Sequence, residues 1–459
     1  KEGAGARKGI FMIDASKGFI KDGNKNRLRE QDLHKIVDTF TRQAELPRYS
    51  RLVPVSEIAD PKNEYNLNLP RYLDSTEPED LQDIDAHLRG GIPNRDIDGD
   101  PANGIPGLSR YWEILPGVRT ALFKKADRSG YSALRIPQPE IKAAILGHAE
   151  FTAFNESATR LFAKWKKSAV PHLKGLGKDS HPKALIETIA EDLLAAFESA
   201  PLLDAYDIFQ HLMDYWAATM QDDCYLIAAD GWREAAQPRL LVDDKSKKTA
   251  AAKTKPDFVL GKKKYQTELL PPALIVQRWF ATDQAAIDQL ETEVAALQQQ
   301  LEEMAEEHGG EDGLLADALN DKGKLTKASA TARLREIKGD ADSAEEIKLL
   351  KAYLALVEQE ASVAAKLSAA QDALTEKVAA RYTKLTEDEI KSLVVDDKWL
   401  GTLAAAVQGE LDRVSQTLTG RIRQLAERYA APLPQLTDEV AALAAKVDGH
   451  LKKMGASWK

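Results

Sequence analysis

A single cysteine, Cys224, rules out any disulfide within the chain and fits a reducing, cytoplasmic setting. No run of about 18 apolar residues occurs, so no transmembrane helix is expected, and no basic-plus-apolar leader opens the sequence. Histidine is scarce: eight in 459 residues, none paired with another His or with the cysteine at the spacing of zinc ligands, so no metal site is expected. A basic excess is missing too. The 63 Lys and Arg are outnumbered by 72 Asp and Glu, for a formal charge of −9. The surface as a whole therefore does not attract nucleic acid, and any such contact must come from local basic patches. Glycine and proline stand at ordinary levels, which excludes a fibrous or disordered chain. What is there, 43% hydrophobic and 29% charged residues, suffices for two to four domains or subdomains with buried cores.

The sequence opens Lys1–Glu2–Gly3 rather than with Met and soon meets an apolar run, Gly9–Ile10–Phe11–Met12–Ile13–Asp14. That run reads as a buried strand, and a buried strand needs neighbours that nothing before it supplies. It reads either as a cut inside a larger protein or as an edge strand of a small sheet completed later. Leu33, Ile36, Val37 and Phe40 then mark a helix, with Asp32 as its cap. Residues 51–55 are extended, and Pro70 keeps 66–72 extended and loop-like. Thr76–Glu77–Pro78–Glu79 forms a capping box opening a helix through Leu81, Ile84 and Leu88, stopped at Gly90–Gly91. From about 140 to 235 the pattern is helical, with Tyr206, Phe209, Leu212, Met213 and Trp216 on one face. The stretch 222–232 has a β-like centre and a Gly turn.

Residues 243–264 carry eight lysines among small residues and read as an exposed loop or linker. Ile287, Leu290, Val294, Leu297, Leu301 and Met304 follow at heptad spacing. His308–Gly309–Gly310 breaks that seam. A second runs from Ile347, Leu350, Leu354 and Val357 through Ala361, Ala364, Leu367, Leu374 and Val378. Two seams joined by the Gly- and Lys-rich piece 309–343 predict an antiparallel helical hairpin, its first arm roughly 30 Å long. Thr386–Glu387–Asp388–Glu389 is another capping box. Val407, Leu411, Val414, Leu418, Ile422, Leu425 and Tyr429 form a long stripe ended by Pro432 and Pro434, and a last helix over 437–454 shows Val440, Leu443, Val447, Leu451 and Met454.

The sequence lacks most of the motifs that would carry catalysis or cofactor binding. Methylation of an adenine amino group needs a short acidic or amide residue followed by Pro-Pro-aromatic, to accept from the amine and stack on the flipped base. The one Pro-Pro pair stands in Leu270–Pro271–Pro272–Ala273, which has neither acceptor nor aromatic ring. Gly3–Ala4–Gly5 lacks the preceding strand that a cofactor-binding turn requires, and no phosphate-binding loop of nucleotide hydrolases occurs. Asp96–Ile97–Asp98–Gly99–Asp100 imitates a calcium loop but has Pro101 where glycine is needed and Gly107 where the bidentate glutamate is needed, so a polar surface loop is expected. Cys224 reads as a small buried residue, not a nucleophile. No catalytic, cofactor-binding or metal-ligating residue is therefore assigned. Two surfaces remain. Lys245, Lys247, Lys248, Lys253, Lys255, Lys262, Lys263 and Lys264 could track DNA phosphates, or form a solvated loop. Val407, Leu411, Val414, Leu418, Ile422, Leu425, Val440, Leu443 and Val447 could face a partner.

Several strings carry a family likeness: Phe11–Met12–Ile13–Asp14–Ala15–Ser16, Asn26–Arg27–Leu28, Tyr65 to Tyr72, Asp80 to Leu88 with Gly90–Gly91–Ile92–Pro93, His211 to Trp216, 222–232, Gln408 to Ser415, and Leu418 to Ile422. The chain resembles the C-terminal part of the modification subunit of type I restriction–modification systems, with 99–107 as an insertion. The residue patterns give a mainly α fold, with a mainly helical domain over 76–242, the Lys-rich linker 243–268 and a coiled-coil hairpin over 269–385; the resemblance implies the tail of a Rossmann-like methyltransferase domain over 1–75 and C-terminal helices for subunit assembly over 386–459. It implies S-adenosylmethionine-dependent methylation of adenine N6 in DNA by the full-length family, the cofactor not being bound by this chain. It also implies partners: a specificity subunit, a second modification subunit, a restriction subunit and double-stranded DNA. Two rival readings are a freestanding coiled-coil scaffold, which leaves the α/β opening unexplained, and an enzyme using the carboxylates of 80–100, for which no His, Cys or Ser partner is assigned.

Overall fold

The computed structural model describes residues 7–76, 79–241, 255–310, 313–340 and 342–455. They form two compact units, one of Lys1–Leu176, Ser180–Cys224 and Trp399–Lys459, the other of Gly177–Asp179 and Tyr225–Lys398.

The first unit opens with strand β1 (Gly9–Ile13), a small hairpin of β2 (Ile20–Asp22) and β3 (Lys25–Arg27), helix α1 (Glu30–Arg42) and strand β4 (Ser50–Pro54). β1 and β4 pair antiparallel, Gly9 opposite Pro54 and Ile13 opposite Ser50. Met12 and Val53 bury into a small cluster with Ile58 and Tyr72, while Ile10 and Leu52 stay exposed. The apolar run is thus a strand, paired with one reached about 40 residues later, and only partly buried. Asp32 is not the cap of α1: Arg29 holds that place, and Asp32 sits three residues in, accepting from the Arg29 backbone and guanidinium at 2.9 Å. Pro70 lies inside a 3-10 turn, Leu69–Arg71, rather than in an extended segment. The Thr76 capping box falls partly on residues outside the described ones. The following helix, α2, starts later than its pattern suggests, at Ile84, and ends at Arg89; Asp83 caps it by accepting from Ala86 N at 2.8 Å.

Between 92 and 134 lies a three-stranded antiparallel sheet ordered β5 (Ile92–Pro93), β7 (Tyr131–Leu134), β6 (Phe123–Lys125). Strands of two to four residues leave no readable alternation, which is why sequence reasoning missed them. The insertion-like loop closes through paired backbone bonds between Asp100 and Ile105. Its stem needs glycine: a Cβ on Gly107, whose φ is +52°, would lie 2.2 Å from the Gly99 nitrogen.

Helices α3 (Ala149–Lys174), α4 (Pro182–Phe197) and α5 (Ala205–Tyr215) follow. α3 buries Phe151, Phe154, Ala158, Phe162, Trp165, Ala169 and Leu173, a continuous i, i+3, i+4 stripe. Pro182 opens α4 at a position where its missing N–H costs nothing, and Asp204 caps α5 by accepting from Tyr206 N. A wide π-turn over Trp216–Met220 leads into α6 (Gln221–Asp230). The β-like reading of 222–232 is corrected here: it is helical, with Cys224 and Ile227 both fully buried one turn apart.

In the second unit, β8 (Arg239–Leu240), β10 (Lys263–Gln266) and β9 (Phe258–Leu260) make an antiparallel sheet in that spatial order. The only Pro-Pro pair starts the helix Pro272–Trp279. The two heptad seams lie on α7 (Ala281–His308) and α9 (Ala344–Tyr382). Their bridges run in opposite senses along the chain: Asp283 to Lys377, Glu291 to Gln371, Gln298 to Glu360. The hairpin is therefore antiparallel. Its tip is not a plain loop but a packed cap, in which α8 (Lys327–Glu336) and the segment around Leu315 bury Leu315, Ala318, Ala330 and Ile337 against Leu350 and Tyr353 of α9. Thr386 caps the helix Glu387–Lys391 reciprocally with Glu389.

The chain re-enters the first unit at Trp399, whose indole N–H donates to Asp223 at 2.8 Å, both side chains being buried. α10 (Leu400–Arg428) is the spine of this unit. Leu411, Val414, Leu418, Ile422 and Leu425 share one core with Ile97, Leu115, Leu122, Ile141, Ile145 and Phe151. Val407 is buried as well. This corrects the expectation that the 407–425 stripe faces a partner: the chain itself covers it. The final helix α11 (Leu433–Lys453) has Pro434 in its first turn and buries none of its residues.

Candidate functional site

α10 joins segments far apart in sequence. His211 Nε2 on α5 lies 2.9 Å from Glu410 Oε1, across 199 residues, and Arg413 Nε donates to Glu410 Oε2 at 2.7 Å. Arg413 also reaches Asp207 at 2.8 Å, and Asp207 accepts from Gln31 Nε2 of α1 at 2.9 Å. Two of the strings that carry the family likeness, around His211 and Glu410, are thus halves of one charge network binding α1, α5 and α10. A second network ties the segment before α2 to α10. Asp80 accepts from Arg421 at 2.7 and 2.9 Å and pairs with the nearly buried Arg428. These bonds hold its carboxyl far below the usual range. Asp96 is buried, which raises its pKa, and accepts from Tyr429 Oη at 3.0 Å.

The aspartates of the calcium-like loop do not converge: Asp96 goes to Tyr429, Asp98 to Arg119 at 2.6 Å, and Asp100 caps its own turn. Among the described residues no group of three or more His, Cys, Asp or Glu is placed to hold a metal, and no helix is long and apolar enough to cross a membrane. Leu270, before the Pro271–Pro272 pair, is fully buried and its carbonyl accepts from Tyr382 Oη at 2.6 Å. Gly3–Ala4–Gly5 lies outside the described residues.

Three surface features remain. The first is α1. Its polar side turns inward: Gln31, Asp32 and Thr39 are buried, while Leu33, Val37 and Phe40 are 45, 60 and 64% exposed. Exposed Ile10 and Leu52 lie on the β1–β4 pair, and Val55 follows it. An apolar stripe turned to solvent is the mark of a covered surface. Behind α1 a cleft of about 720 Å³ runs between α1, α4, α5 and α10, with Thr39, Leu194, Tyr111 and Val414 among its walls and Arg42 and Glu198 paired beside them.

The second is the lysine run. Lys245, Lys247, Lys248 and Lys253 lie outside the described residues. Lys255 is exposed, and Lys262, Lys263 and Lys264 stand exposed on the β9–β10 hairpin, which turns at Gly261 with φ +61°. This part of the run is a hydrogen-bonded hairpin, not a loop. Tyr265 stacks on Phe258 at 5.2 Å, and Phe258 on the buried Tyr382 at 6.1 Å, the rings nearly parallel. Small residues and charges dilute the strand pattern here, so the lysines read as loop from sequence alone.

The third is α11. Leu436, Val440, Leu443 and Val447 are 44 to 65% exposed, and their 4-3-4 spacing is a coiled-coil seam. Of the residues expected to meet a partner, Val440, Leu443 and Val447 lie at the surface and the six of α10 do not.

Residues 1–81 match the family model described as N-6 DNA Methylase. The chain is similar to the type I restriction enzyme MjaVII methylase subunit of Methanocaldococcus jannaschii, 40% identical over 83 residues, which cover 17% of this chain and 14% of that protein. It is also similar to the type I restriction enzyme MpnII methylase subunit of Mycoplasma pneumoniae, 31% identical over 75 residues, 16% of this chain and 13% of the relative. The chain thus spans about one seventh of the length of the curated relatives it matches. No solved structure matches. The resemblance to type I modification subunits is carried by stretches of 83 and 75 residues.

Proposed function

We propose that this chain is the C-terminal portion of a type I modification subunit, which supports S-adenosylmethionine-dependent methylation of adenine N6 in DNA by joining the rest of a methylase to a specificity subunit. The observation that carries the reading is the outward apolar face of α1. It lies within the stretch that matches the methylase family, and its Leu33, Val37 and Phe40 need an apolar cover. On this reading residues 1–75 are the tail of a larger α/β domain, and the remainder of that domain lies on α1. The chain alone then neither binds the cofactor nor methylates. The rival scaffold reading accounts for α7 and α9 but not for this face.

Val37→Lys with Phe40→Lys tests the reading. Both side chains are exposed here, so the melting temperature of the isolated chain should stay within a few degrees. In cells that also supply the rest of the methylase and its specificity subunit, adenine N6 methylation of plasmid DNA should fall at least about tenfold, because each lysine would be buried in an apolar contact. Methylation at the parental level would overturn the reading.

In the assembled methylase, the Lys262–Lys263–Lys264 hairpin contacts DNA phosphates. With all three changed to Gln, the slope of log affinity against log salt should become shallower by about 2 to 3, near 0.9 per phosphate lost. An unchanged slope would show the hairpin to be merely solvated.

A further inference from the structure

His34 of α1 is held on both sides by carboxylates. Its Nε2 lies 2.7 Å from Glu191 Oε1 on α4, and its Nδ1 lies 3.1 Å from Asp38 Oδ2, one turn along α1. The ring packs edge-on against Phe209 of α5 with centroids 4.9 Å apart, and its side chain is 19% exposed. Ionised carboxylates only accept hydrogen bonds. A neutral imidazole has one N–H, so it satisfies one of the two and turns a bare lone pair toward the other. Only the imidazolium donates to both.

The other groups around the ring leave this demand in place. From α5, Tyr206 Oη donates to the same Asp38 oxygen at 3.0 Å. On α1, Arg42 pairs at 2.7 Å with Glu198, which caps the end of α4. Lys35 lies 3.9 Å from Asp204 and over the rings of Tyr49 and Tyr206. The neighbouring cations are thus engaged by other carboxylates.

We infer that His34 is a proton-operated latch: protonated, it fastens α1, and with it the methylase-like segment, to α4; neutral, it releases one of the two contacts. Burial pushes the imidazole pKa down, but the hydrogen bond to Glu191 and the charges of Asp38 and Glu191 push it up further, so it lies above its ordinary value. A group raised on folding contributes its stability in full below the unfolded pKa, about 6.5, and loses it as pH rises through the folded value. The latch is tightest in mild acid and loosens in mild alkali, where the neutral ring keeps one of the two bonds. It depends on this network alone and not on the partner reading above.

Hydrogen–deuterium exchange of the whole chain at pH 6 and pH 8.5, corrected for intrinsic amide rates, tests the latch. Protection of the 30–42 amides should fall roughly three- to tenfold at the higher pH, the loss expected when one charge-assisted hydrogen bond to a partly buried imidazolium is given up. His34→Gln should abolish the dependence, and Glu191→Gln should move it to lower pH. Equal protection at both pH values, or an undiminished fall in His34→Gln, overturns the proposal. Should His34→Gln fail to fold, the imidazole Cε1–H chemical shift of the unmodified protein decides: a midpoint at or below about 6.5 overturns it.

Discussion

Leu418→Asp should unfold the first unit. Leu418 is fully buried in the core that α10 shares with Leu122, Ile145 and Phe151. Removing the leucine costs about 2–5 kcal/mol through lost burial and the cavity left behind. The aspartate adds a buried, unpaired charge worth several more, or else takes up a proton at a cost in free energy of its own. The sum is comparable to the whole stability of an ordinary domain, about 5–15 kcal/mol. Circular dichroism should show loss of helix, and the emission of Trp112 and Trp165, both buried in this unit, should shift to that of solvent-exposed indole. Leu418→Met should cost less than about 1.5 kcal/mol. A soluble Leu418→Asp protein with a melting temperature near that of the parent would mean that α10 is not the spine described here. This substitution is therefore no test of partner binding, since it removes the fold before it touches any interface.

Val440→Asp with Leu443→Asp is the complementary case, large in binding and small in stability. Both residues are more than 60% exposed on a helix that buries none of its own side chains, so the stability change should remain within about 0.5 kcal/mol per site. If α11 seats a helix of the specificity subunit, the two charges fall in the middle of the Leu436–Val440–Leu443–Val447 seam. Affinity for that subunit should then drop by about 100-fold or more, roughly 3 kcal/mol, as when central apolar anchors are lost. On the proposed reading, titration of the purified full-length protein that carries this chain with a specificity subunit reads this directly. Unaltered affinity would place the assembly contact elsewhere, and α10 could not take its place without unfolding.

The contrast between these two stripes shows where local pattern stops being informative. Both present an i, i+3, i+4 apolar face, and both were legible as helices. Pattern states that a face must be covered; it does not state by what. For α10 the cover is supplied by residues 97–154, hundreds of positions earlier in the chain, whereas α11 buries none of its residues and keeps its apolar face at the surface. α1 is the sharper case. An amphipathic helix ordinarily turns its apolar stripe inward, yet the structure turns Gln31, His34 and Asp38 inward to meet Asp207, Glu191 and Tyr206. An ion network assembled from four helices has no signature at any one of them.

By itself the sequence determined what depends on near neighbours. The two heptad seams and their break at Gly309–Gly310 specify an antiparallel hairpin, because residues three and four apart share a helix face whatever surrounds them. Thr386 with Glu389 specifies a helix start, because the reciprocal bonds close within one turn. The lack of an acceptor–Pro–Pro–aromatic string was likewise plain without coordinates. Only the tertiary structure decided which faces are spent inside the chain, that the two-residue strand at Ile92 joins a sheet, that Lys262 to Lys264 ride on a hairpin, and that His34 is gripped between two carboxylates. Most of these rest on contacts between residues tens to hundreds of positions apart, and the free energy of such a contact belongs to the pair, not to either local segment.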